Sequence, residues 1–136
     1  MRPLTWTTLA LLLIVPDVAA AATKTIPVVH SAQAAYSRTA RHTIVVQASV
    51  DLPNSCWSNP RFQRPAAGVK PDAGGAVMLV VVADNAERPG LMCAMMYRPG
   101  VAVPPLRWTT YPKRLKAITV TGSQQAVTAP VTGEPR

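Results

Sequence analysis

Proline and glycine break this chain so often that a long helix has nowhere to form. Fourteen prolines and seven glycines are spread through 136 residues. Each proline removes a backbone donor and clashes with the preceding helical turn. Beyond residue 22 no long run of Leu, Glu and Lys opposes them, while Val and Thr are frequent. Side chains branched at Cβ fit a pleated strand better than a helix. This balance argues against a helical bundle and predicts short strands separated by turns.

The clearest strand spans residues 43–52. Ile44, Val46, Ala48, Val50 and Leu52 fall on one face, and Gln47, Ser49 and Asp51 on the other, the two-residue alternation of a half-buried strand. A first short strand is expected over 25–30, with Pro27 placing it at a sheet edge. Residues 31–41 read as a helical turn or as a continuation of that edge strand, the strand being favoured. Residues 76–83 are apolar on both faces, as in a strand covered from both sides. Further strands are expected over 91–98, 106–111 and 115–121. A short one lies near Arg61, Phe62 and Gln63, inside an otherwise irregular connection over 58–75. The sum is six or seven strands at short intervals, the pattern of a small antiparallel β-sandwich over 23–122. Residues 123–136, rich in Thr, Pro, Gln and Ala, read as a disordered C-terminal tail.

Residues 1–22 resemble an export signal. Arg2 gives a positive start, residues 9–15 a short apolar core, and Ala19 to Ala22 small side chains suited to cleavage. The apolar run is shorter than the roughly 20 residues that span a bilayer. The expectation is a cleaved signal peptide, a periplasmic or secreted protein and no transmembrane segment in the mature chain. Cys56 and Cys93 are the only cysteines, and an even count in an exported chain implies a disulfide. No C-x-x-C spacing supports a redox pair, and no clustered histidines support a metal held by the two thiols.

The residues Val50 to Trp57, with their L-P-x-x-C turn, the later Cys93, and Ile118 to Gly122 resemble small exported bacterial immunoglobulin-like domains. The likeness spans 43–122 and implies an immunoglobulin-like sandwich without a known substrate or catalytic residues. Immunoglobulin domains carry their tryptophan on a different strand, whereas Trp57 abuts Cys56, which leaves the strand topology open.

A formal charge of +8, with basic residues scattered along the sequence, points to an anionic partner: an acidic glycan, lipopolysaccharide or an acidic exported protein. Export and sparse aromatics argue against nucleic acid. The long connection offers Arg61, Phe62, Arg64 and Lys70 as a binding loop. Nucleophile elbow, phosphate loop and H-E-x-x-H motif are all absent from the sequence. The chain therefore reads as a non-enzymatic binding or accessory module without a cofactor. One alternative is a periplasmic copper protein using His30, His42, Met92 and Met96, because thioether sulfur suits Cu(I). That reading needs His30 and His42 to meet across a hairpin. Strand alternation over 91–98 would also divide Met92 and Met96 from Met95, so methionine as adaptable core filling is the simpler reading. The other alternative is an inhibitor of exported proteases presenting residues 52–56 and 98–100, by fold-level analogy alone.

Overall fold

The described residues, 21–136 of a computed structural model, form strands and no helix. The expected signal peptide, apart from Ala21 and Ala22, lies outside them. The strands are β1 (Ala22–Thr25), β2 (Val28–Tyr36), β3 (Ile44–Leu52), β4 (Trp57–Phe62), β5 (Ala76–Asn85), β6 (Arg98–Trp108), β7 (Ala117–Thr121) and β8 (Ala126–Thr132). None of the described residues forms a helix long and apolar enough to cross a membrane.

The all-β expectation holds; the antiparallel one does not. Hydrogen-bonded neighbours follow one path, β1-β5-β7-β8-β2-β3-β6, with β4 also on β5. Two pairs in that path, β2 with β8 and β5 with β7, are parallel. The result is a mixed sheet curled around a single core rather than an antiparallel immunoglobulin-like sandwich. The reason is the break at Ile26-Pro27. Proline stops the first strand after Thr25, so β1 stays on β5 while β2 departs to pair with β3 and β8.

Alternation builds the core. Ile44, Val46, Ala48, Val50 and Leu52 of β3 are all buried, as the pattern requires, with Val29, Val81, Ile118 and Val120 packed against them. Each such side chain contributes roughly 1.5–3 kcal/mol by leaving water. On β5 only Val77, Leu79, Val81, Ala83 and Asn85 face inward. Met78 is 65% exposed, so this strand is covered on one face and not on both. Beneath the β2–β3 turn, Tyr111 packs edge-on against Tyr36 and Trp108, with centroids 6.0 and 6.4 Å away. These aromatics close that end of the curl.

Three further expectations need correction. Residues 123–136 are not a tail: Val127, Ala129 and Val131 alternate inward and carry β8 along β7. Residues 91–97 form no strand, because their backbone and side chains are tied to the β3–β4 turn instead of to a ladder. The strand expected from residue 106 starts at Arg98 and runs through Pro99, Pro104 and Pro105. Such prolines are tolerated because β6 ends the sheet and bulges against β3. Opposite two-residue steps of β3, β6 advances three residues twice, at Pro104-Pro105 and at Pro99-Gly100.

Gly122 marks the tightest crossing. A Cβ there would sit 2.6 Å from the Pro27 carbonyl oxygen and 2.7 Å from that of Ile26, the atoms where β1 hands over to β2. Gly122→Ala is expected to cost about 1–3 kcal/mol, as overpacking does, whereas Gly74→Ala stays within about 0.5 kcal/mol as a surface change. Urea unfolding of both variants checks this, and equal midpoints would refute the close approach.

Candidate functional site

Alternation places Asp51 on the outer face of β3, where a carboxylate belongs in water. It is nevertheless only 7% exposed. Its cover comes from the start of β6. The Tyr97 hydroxyl donates to Oδ2 at 2.6 Å, and the Gly100 amide donates to Oδ1 at 2.9 Å. Gly100 has a φ of +64°, a conformation glycine adopts without steric cost at a bulge. His30 is the extra residue where β2 bulges against β3, and its Nδ1 lies 3.6 Å from Asp51 Oδ1. The Tyr97 and Gly100 bonds, outweighing burial, hold the Asp51 carboxyl below the usual carboxylate range. In turn the carboxylate pushes the Tyr97 phenol up.

Beside this knot the disulfide Cys56–Cys93 joins the β3–β4 turn to the β5–β6 connection, with Cα atoms 5.4 Å apart. Ser55 N donates to Ala94 O at 3.0 Å, Ala94 N to Ser55 Oγ at 2.8 Å, and Arg98 Nη2 to Trp57 O at 3.0 Å. Residues 98–100 are thus part of a held strand and not a free inhibitory loop.

The expected binding loop divides. Arg61 lies in β4, where Nη1 donates to Asp84 Oδ1 at 2.9 Å and Nη2 to Thr23 Oγ1 at 3.2 Å. Asn59 donates to the other oxygen of Asp84. Asn59 first and Arg61 second keep that carboxyl below its ordinary value. This is a tie across β4, β5 and β1 rather than a free cation. Phe62 packs against the core. Of the four, only Arg64 and Lys70 stand exposed in the connection 63–75. Arg64 borders a depression of about 300 Å³ with Pro65, Val69 and Met78.

The histidines also separate. β2 and β3 do form a hairpin, but His30 lies at the Asp51 end while His42 sits in the turn at the other. The six residue steps from Ile44 to Val50 span about 20 Å of strand. Met92 and Met96 are on the side of His30. The four-residue copper set therefore cannot meet at one point. No three His, Cys, Asp or Glu side chains come together among the described residues.

What the sequence scatters, the topology gathers. Alternate connections reach the same end of the sheet: the β2–β3 turn (37–43), the β4–β5 connection (63–75), the β6–β7 connection (109–116) and the last residues, 133–136. These four segments hold Arg38, Arg41, Arg64, Lys70, Lys113, Arg114, Lys116 and Arg136, all exposed, against Asp72 and Glu134. Arg38, Arg41 and Arg136 line a depression of about 330 Å³ with Thr39 and Ala40, and no carboxylate side chain. Arg136 is pinned there, its Nη1 donating to Arg38 O at 2.8 Å. A second depression, about 300 Å³, has Lys113, Arg114 and Lys116 on its rim beside Asp72. Asp72 Oδ1 is already occupied by the amides of Gly74 and Ala76. Asp51, Asp84 and Glu87 lie toward the opposite end, where Lys24, Arg61, Arg88 and Arg98 offset them. Position along the chain hides this polarity, which depends on which connections share an end of the sheet.

Asp51 makes stability pH-dependent. A carboxyl whose folded pKa is lowered stabilises the fold above its unfolded value, near 4, and that share is lost as pH falls from there through the folded pKa. Asp51→Asn is expected to cost about 1.5–3 kcal/mol at pH 7, as the loss of charged hydrogen bonds does, and to flatten the acid decline that Asp84 shares. Thermal melts from pH 7 to pH 2 check this; parallel profiles for the two proteins would contradict it.

Compared with known families, curated proteins and solved structures, the chain matches none.

Proposed function

We propose that this chain is an exported, non-enzymatic binding module of the periplasm or cell exterior, whose basic end docks on an anionic partner such as an acidic glycan or lipopolysaccharide. The observation that carries the reading is the gathering of eight exposed cations on four segments at one end, with two carboxylates among them. Clefts lined by one sign of charge attract counter-charged partners and speed encounter. Five of the eight are arginines, whose planar forks bind sulfate, phosphate and carboxylate groups in bidentate fashion. The disulfide supports an oxidising compartment, and the signal-like residues 1–22 support export. The L-P-x-x-C turn and the Cys56–Cys93 pair support kinship with exported immunoglobulin-like domains, from whose antiparallel pattern this sheet departs by two parallel pairs.

Such docking weakens with salt, since the Debye length falls from about 10 Å at 0.1 M to about 3 Å at 1 M. Binding to lipopolysaccharide and to a sulfated glycan is therefore expected at low salt and lost at high salt. Arg38→Glu with Arg41→Glu, or Lys113→Glu with Arg114→Glu, is expected to weaken it about tenfold or more, a loss of at least about 1.4 kcal/mol. Arg88→Glu, at the opposite end, leaves it unchanged. Surface plasmon resonance across a salt series checks this. Salt-insensitive binding, or equal loss in Arg88→Glu, would reject the basic end as the docking surface.

A further inference from the structure

Exposed large apolar side chains are concentrated in one short segment. Among the described residues they are Met78, apart on β5, and five residues close together in sequence: Leu91, Met92, Met95, Met96 and Tyr97. Met92 and Met95 are 94% and 93% exposed and Met96 is 60% exposed. Methionine fills gaps in cores, but these three are in no core. The alternation that would send them to opposite faces is also missing, because residues 91–97 belong to no strand.

Their backbone is nonetheless held. Cys93 is bonded to Cys56, Ala94 makes two hydrogen bonds with Ser55, and Tyr97 is anchored on Asp51. Met96 N donates to Ala94 O at 2.7 Å, which sets Met95 at the centre of a three-residue turn. Three long, unbranched side chains thus rise from a braced loop, each with enough rotatable bonds to bring its sulfur to a shared point. We infer that Met92, Met95 and Met96 form a thioether site for a soft monovalent cation, Cu(I).

The chemistry selects the ion. Thioether sulfur is neutral and soft, so it holds Cu(I) and gives little to Mg²⁺ or Ca²⁺, which take oxygen ligands. A thioether site needs no surrounding carboxylates: Asp51, Asp84 and Glu87 at this end are balanced by Lys24, Arg61, Arg88 and Arg98, while the eight clustered cations are at the far end. His30 is a fourth donor within the same neighbourhood. Its Nδ1 faces the carboxylate that also anchors Tyr97, the residue after Met96, so Nε2 is the nitrogen the site would use. Binding involves no electron transfer, and the disulfide stays intact.

The test is a competition titration of the full chain against a chromophoric Cu(I) chelator, under ascorbate and without oxygen. One Cu(I) per chain should be withdrawn from the chelator. Met92→Leu, Met95→Leu and Met96→Leu combined preserves size and apolarity, so the fold survives; it should abolish the withdrawal. His30→Ala should weaken it by about tenfold. Arg38→Glu with Arg41→Glu should leave it unchanged, which separates this site from the anionic docking surface. No withdrawal by the wild type, or equal withdrawal by the triple leucine variant, would overturn the site. Undiminished binding of an apolar dye by a triple variant that withdraws copper as the wild type does would mark the segment as a hydrophobic surface instead.

Discussion

β6 meets β4 without a hydrogen-bonded ladder, and much of the molecule's architecture answers that constraint. Pro99, Pro104 and Pro105 deny β6 three amide donors, and its two bulges against β3 bend it further. A sheet that curls but cannot zip its last two strands needs other ties. They are the Cys56–Cys93 bond, the Arg98 guanidinium on the Trp57 carbonyl, and the Ser55–Ala94 pair. Asp51 adds the last of them by fixing Tyr97 and Gly100, the residues that lead the chain into β6. The disulfide closes a loop with a sequence separation of 37, which in the chain-entropy model stabilises the fold by about 4 kcal/mol.

Closing the curl gives the molecule two different ends. One holds the ties and the exposed methionine segment, with Asp51, Asp84 and Glu87 nearby. The other is plugged by Tyr36, Trp108 and Tyr111 and carries the arginines and lysines on three connections and the final residues. Strands that run alternately up and down deliver every second connection to the same end, so a basic residue in each of these connections suffices to build a charged face.

The sequence made β3 legible because its apolar residues recur at every second position, with Val45 the single apolar residue off that face. Cys56 and Cys93 were legible as a pair because they have no competitors. β8 was hidden by composition: threonine, proline and alanine look unstructured until β7 and β2 supply the partners. Residues 91–97 misled in the other direction, since Leu, Met and Tyr resemble a strand until the disulfide and Asp51 claim them. Arg61 looked like a free loop cation, yet Asp84 lies opposite Ser58 across the β4–β5 register and captures it. The parallel pairs β2–β8 and β5–β7 join segments far apart in sequence, which local patterns do not report. Charge polarity was missed for the same reason, because it is a property of topology.

Amide chemical-shift mapping with a sulfated or phosphorylated oligosaccharide tests most directly whether topology has built a docking face. Perturbations are expected to be confined to residues 37–43, 109–116 and 133–136, with part of 63–75, and residues 86–97 to stay silent. Shifts spread evenly over both ends, or centred on 86–97, would contradict it.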